Sequence, residues 1–79
     1  MMNIARNALA YDDYVLSISY FNLIINYKPH LYEPYFYRGV AKFYLDDYSG
    51  AILDCTEAIK RNPFFHNSYE LRGLAHINK

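Results

Sequence analysis

The sequence predicts an all-α fold of five helices, arranged as stacked antiparallel helix pairs. Three observations carry this. Shifted against itself by 34 residues, the chain repeats ten residues in 45 compared positions, among them Asp12/Asp46, Asp13/Asp47, Tyr14/Tyr48, Pro29/Pro63, Tyr35/Tyr69, Arg38/Arg72, Gly39/Gly73 and Ala41/Ala75. These matches fall on turns, core positions and a helix-ending proline, and a period of this length means one helix pair per repeat. Between them, apolar residues recur at helical spacing, and no stretch shows the Val/Ile/Thr alternation of a strand.

The first helix is expected over residues 2–11 and ends at the pair Asp12–Asp13. Asp12 closes it, because Asp tolerates the left-handed conformation better than most residues. Asp13 caps the next helix, its carboxylate accepting from orphan N–H groups. That helix, over 14–27, carries the stripe Ser17, Ile18, Phe21, Ile24, Ile25 and stops at "NYKP", since proline bars the residue before it from continuing. The third, over 33–45, holds "YRGVA" and ends at Asp46–Asp47. The fourth, over 48–61, repeats the stripe as Ala51, Ile52, Cys55, Ala58, Ile59 and stops at "KRNP". The fifth, over 66–78, repeats the third as "LRGLA". One domain over 1–79 follows: a partial repeat 1–31, a full repeat 32–65 and the first helix of a third, 66–79.

Charge and composition remove several function classes. Eight basic and eight acidic residues cancel, and no basic run exists, so a nucleic-acid partner is not expected. Ten tyrosines without interleaved Lys or Arg read as core and surface aromatics rather than a base-stacking platform. Cys55 is the lone cysteine, which suits a reducing compartment and a small core side chain. Cytoplasmic placement is expected, because "MMNIARNALAYDDY" lacks the pattern of a signal peptide. No membrane insertion is expected from "YVLSISYFNLIINY", which is too short and too rich in Ser and Asn. His30, His66 and His76 have no companion at metal-ligand spacing, and no phosphate loop or nucleophile elbow occurs. The Asp pairs recur at the repeat period and so read as turn and cap residues. The chain is expected to have no catalytic residue, metal or cofactor.

With these residues in place the sequence resembles the tetratricopeptide repeat, whose pattern is Trp-x2-Leu-Gly-x2-Tyr, then Ala-x3-Phe, then Pro, within 34 residues. The middle copy reads Tyr35-x2-Arg38-Gly39-x2-Lys42, Ala51-x3-Cys55, Ala58 and Pro63, and the third supplies Tyr69 and Gly73. About two and a third repeats cover the whole chain. The resemblance implies a right-handed solenoid in which the two helices of a repeat pack closely. Gly39 and Gly73, each costing roughly 1 kcal/mol in a helix, are then expected to admit a neighbouring helix, at Ala51 in the case of Gly39. Arg38 and Arg72 replace the family's Leu, and the copies resemble an Arg-Gly-x-Ala-Lys variant, here Arg38 to Lys42, that tends to carry Asp in the second helix, here Asp54. Copy one lacks both charges, with Ile4 and Tyr20 at the matching positions, so Asp54 is expected to pair with Arg38 or Arg72.

The resemblance also implies a concave face lined by first helices. Its partner-binding candidates are Arg6, Phe36, Val40, Phe43, Tyr44, Glu70 and Leu74; Phe36 and Phe43 equally suit the inter-repeat core. A peptide or helix of another protein would dock there, making the chain a non-catalytic scaffold or adaptor. The carboxylate clamp of some relatives is not expected, since the matching positions Met2, Arg6, Tyr37, Asn67 and Leu71 hold one basic residue. The alternative is self-association. The outer side of helix 14–27 shows Val15, Leu16, Leu23 and Tyr27 where the second copy is polar, and such patches mark interfaces. A homo-oligomer, a partner or further sequence is expected to cover the open ends of so short a stack.

Overall fold

The computed structural model describes residues 2–79; Met1, within the expected partial repeat, lies outside them. Five helices follow in order: α1 Met2–Ala10, α2 Tyr14–Tyr27, α3 Glu33–Tyr44, α4 Tyr48–Arg61 and α5 His66–Asn78. Among the described residues there is no strand. The all-helical expectation holds, and α1 and α3 end one residue earlier than their sequence pattern.

The two Asp turns are built alike. Asp12 and Asp46 adopt φ of 63° and 62°, the left-handed conformation that closes a helix without glycine. The next residue in each pair caps the following helix: Asp13 accepts from the Leu16 N–H at 3.2 Å and Asp47 from the Gly50 N–H at 3.0 Å. Tyr14 and Tyr48 each donate a phenol hydrogen bond of 2.9 Å back to Asp12 and Asp46, which raises both phenols above their ordinary range. The α2–α3 and α4–α5 connections carry Pro29 and Pro63. There the caps are backbone groups, with Lys28 N–H donating to Ile24 and Asn62 N–H to Ala58.

Each helix packs on the next in sequence. In addition α1 reaches α3 and α3 reaches α5, whereas no Cα of α2 comes within 8 Å of one in α4. The first helices of the repeats therefore stand closer together than the second helices. Small residues set the close approaches: Ala5, Ala41, Ala51, Cys55, Ala58 and Ala75 are fully buried. Two aromatic clusters fill the wider gaps. Phe21 stacks on Tyr37 beside Ala5 and Ile24, while Tyr35 and Phe36 close over Ala58 with Phe65 set edge-on against Phe36. Stacking rather than disulfide closure holds this small chain, since Cys55 is free and buried.

Candidate functional site

Gly39 explains the tightest joint, α3 against α4. A Cβ added there would stand 3.3 Å from the Cβ of Asp54 and 3.4 Å from the carbonyl oxygen of Ala51. The glycine lets α4 approach, as its place in the repeat predicts. The same contact brings Arg38 onto Asp54. Arg38 Nε and Nη2 grip the two carboxylate oxygens at 2.9 and 2.6 Å, a bidentate pair, and Lys42 Nζ adds a third contact at 3.1 Å. Asp54 is 2% exposed. Its hydrogen bonds hold the Arg38 guanidinium above its ordinary pKa, against the opposing effect of burial. The third guanidinium nitrogen, Nη1, donates to Asn22 of α2 at 2.8 Å. One side chain thus ties α2, α3 and α4 together. Of the two partners expected for Asp54, the structure selects Arg38.

Arg72 repeats half of this arrangement. Its Nη1 donates to Thr56 of α4 at 3.3 Å, and Thr56 stands at the repeat position of Asn22. Its Nε and Nη2 find no acceptor among the described residues. Gly73, beside it, has nothing within 4 Å of an added Cβ. The close packing expected at Gly73 is therefore not seen among the described residues, since none of the five helices covers that face of α5.

The partner-binding candidates separate into two groups. Phe36 is 9% exposed and belongs to the core, edge-on to Tyr37 and Phe65. Val40 is partly buried against the same cluster, and Phe43 lies edge-on to Tyr44 and Tyr48. Tyr44, by contrast, is 61% exposed while its ring stacks on Tyr14 at 5.3 Å, so it is both displayed and held. Arg6 is exposed with its guanidinium 5.0 Å from the Tyr37 ring centre. Glu70 and Leu74 are exposed on α5. The oligomer candidates on α2 are all open: Val15, Leu16, Leu23 and Tyr27.

Two features escape a reading of the sequence. Arg61 donates to the Pro29 carbonyl and to the Tyr35 hydroxyl at 3.0 Å, with its guanidinium 3.9 Å from the Tyr35 ring centre, and Tyr35 itself donates to Pro29 at 3.2 Å. Copy one has Tyr27 where Arg61 stands, so the repeat carries no sign of this lock. The second is an apolar cavity of about 410 Å³ lined by Met2, Ile24, Tyr27, Lys28 and Leu31. These are the repeat positions of Phe36, Ala58, Arg61, Asn62 and Phe65. The site that two phenylalanines and an arginine fill in copy two is left open in copy one.

Among the described residues, no three His, Cys, Asp or Glu side chains gather where they could hold a metal ion. No helix among them is long and apolar enough to cross a membrane. Cys55 is walled in, and burial, reinforced by the neighbouring Asp54 carboxylate, pushes its thiol up to about 12.

No family model matches the chain. Over 73 residues it is 32% identical to a protein described as "Protein SGT1 homolog" from Oryza sativa subsp. japonica, a match that takes in 92% of this chain. The chain spans about one fifth of the length of that relative, 20%.

Proposed function

We propose that this chain is a tetratricopeptide-type repeat module, a right-handed stack that binds a peptide or helix of another protein and catalyses nothing itself. The observation that supports the reading is the uneven helix spacing: α3 comes within 8 Å of both α1 and α5, while α2 and α4 do not come within 8 Å of each other, as expected of a stack with its first helices inside. The repeat resemblance assigns Arg6, Tyr44, Glu70 and Leu74 to that inner side, and all four are exposed, whereas Val40 and Phe43 are partly covered and Phe36 is buried. Rigid, pre-stacked aromatics such as Tyr44 lose little freedom when a partner covers them. A cytoplasmic adaptor or scaffold fits these features.

Selection of peptides from a displayed library against the full chain tests this. Tyr44→Ala and Arg6→Ala are expected to weaken a selected peptide at least about tenfold, the loss typical of an interface anchor. Leu16→Asp is expected to leave binding unchanged. Peptides insensitive to Tyr44 and Arg6 would place the binding face elsewhere.

The exposed row Val15, Leu16, Leu23 and Tyr27 favours a second reading, self-association through α2. Sedimentation velocity over a hundredfold concentration range decides it. A dimer that Leu16→Asp disperses supports this reading, and a monomer throughout removes it.

A further inference from the structure

The chain holds ten tyrosines, and among the described residues one pair of them meets ring to ring. Tyr14 is the first residue of α2 and Tyr44 the last of α3. Their ring centres lie 5.3 Å apart with the planes 13° from parallel. The Tyr14 hydroxyl donates to the Asp12 carboxylate at 2.9 Å, and the Tyr44 ring is open to solvent. One phenol thus has a proton acceptor already in place, and the other is within reach of a reagent. We propose that Tyr14 and Tyr44 form an oxidative cross-linking site, at which a one-electron oxidant of the haem-peroxidase class joins α2 to α3 through a dityrosine bond. The site is defined by ring geometry and does not rest on the peptide-binding reading of Tyr44.

Each phenol gives one electron to the oxidant and loses its hydroxyl proton. The Tyr14 proton passes to Asp12 along the existing hydrogen bond, and the Tyr44 proton passes to water. An acceptor in place favours removal of the electron, because no cationic phenol has to form. The two phenoxyl radicals couple through a C–C bond between ring carbons adjacent to the oxygen-bearing ones. Each of those carbons then passes its hydrogen to the neighbouring oxygen, which restores both phenols. The chain loses two electrons and two protons in all, and hydrogen peroxide, the terminal oxidant, takes up both and becomes two waters.

The remaining tyrosines lack one requirement or another. Tyr48 repeats the hydroxyl bond, to Asp46, but its ring meets Phe43, and Asn78 stands at the repeat position of Tyr44. Tyr35 lies under the guanidiniums of Arg38 and Arg61, and Tyr37 and Tyr69 under those of Arg6 and Arg72. A cation held at the ring face opposes the loss of an electron from it. Tyr11 and Tyr27 are exposed with no tyrosine ring against them, so their coupling needs a second chain and rises with concentration. A bond between positions 14 and 44 would close a long loop and so restrict the unfolded chain.

The test treats the full chain, dilute and folded, with a haem peroxidase and hydrogen peroxide. The monomer is then isolated, its dityrosine fluorescence recorded and its cross-linked peptides mapped by mass. A single peptide pair carrying Tyr14 and Tyr44 and short of two hydrogens is expected, at a yield independent of chain concentration. The cross-linked monomer should melt at a higher temperature than the untreated one. Tyr14→Phe and Tyr44→Phe keep the stacked rings, and circular dichroism checks that they keep the helices; each should abolish the product. Tyr48→Phe should leave it unchanged. Three results overturn the inference: a monomer without dityrosine, a product that maps to other tyrosines, or fluorescence that survives either substitution at Tyr14 or Tyr44.

Discussion

Arg-Gly-x-Ala occurs in α3 and again in α5, and the same four residues live in opposite surroundings. In α3 the arginine is clamped to a buried carboxylate and the glycine lies under α4. In α5 the arginine has one long bond and the glycine faces open space. Tyr35 is buried with its hydroxyl bonded, whereas Tyr69 is half exposed. Local sequence sets the helix; the next helix determines what each residue of it is worth. A repeat residue therefore has no fixed energetic role, and substitutions at equivalent positions should diverge in size and even in sign.

The largest divergence is expected in charge. Asp54→Ala strands two cations, Arg38 and Lys42, whose side chains are 19% and 24% exposed. We expect a loss of about 2–4 kcal/mol, below the full cost of breaking a buried pair because both cations reach water. Arg72→Ala should cost about 1 kcal/mol or less, since it loses one part-buried 3.3 Å hydrogen bond to a hydroxyl. Urea unfolding of both variants checks this. Comparable losses would make the two joints equivalent.

The glycines should differ in sign. Gly39→Leu overpacks the α3–α4 contact and should cost about 1–3 kcal/mol. Gly73→Ala meets nothing and should stabilise α5 by about 0.5–1 kcal/mol, the gain in helix propensity. Thermal melts of the pair would show opposite shifts in Tm. The tyrosines come next. Tyr35→Phe removes the hydroxyl that joins Pro29 and Arg61 and should cost about 1 kcal/mol, with Tyr69→Phe near zero.

The smallest effect concerns Cys55, whose thiol is pushed up to about 12 from an ordinary value of 9.0. A raised folded-state pKa favours folding below the unfolded value and loses that contribution as pH climbs toward the folded one. Stability from this group is thus full below pH 9 and declines between 9 and about 12. At pH 8 a thiol reagent should label the folded chain far more slowly than the unfolded one. Equal labelling rates would mean that the site is open.

Much of this fold is legible in the sequence because its punctuation repeats. The Asp pairs announce both turns, and the observed left-handed Asp12 and Asp46 follow from chemistry that any copy must satisfy. The joint absence of Arg and Asp in copy one marks Arg38 and Asp54 as a pair. Lys42 belongs to the Arg-Gly-x-Ala-Lys pattern, but its contact with Asp54 is not readable from the copies, which hold Ala8 and His76 at the matching positions. The burial of Phe36 is hidden for a different reason. It depends on Phe65, a connection residue that folds back from beyond α4. The Arg61 lock and the copy-one cavity arise where the two copies differ, and a repeat signal is blind to differences. The inner face is the least legible part, because which apolar side chains sink and which stay out is settled by neighbours 30 or so residues away.

A double-mutant cycle tests the central claim, that α4 closes on α3 through one carboxylate in which Arg72 of α5 has no share. Arg38→Ala, Asp54→Ala and the double variant are unfolded in urea beside the same cycle on Arg72 and Asp54. The expected coupling for Arg38 with Asp54 is about 1.5 kcal/mol or more, as for close charge pairs in well-packed contacts. For Arg72 with Asp54 it is within about 0.3–0.5 kcal/mol of zero, the range of independent sites. Equal couplings, or none between Arg38 and Asp54, would contradict it.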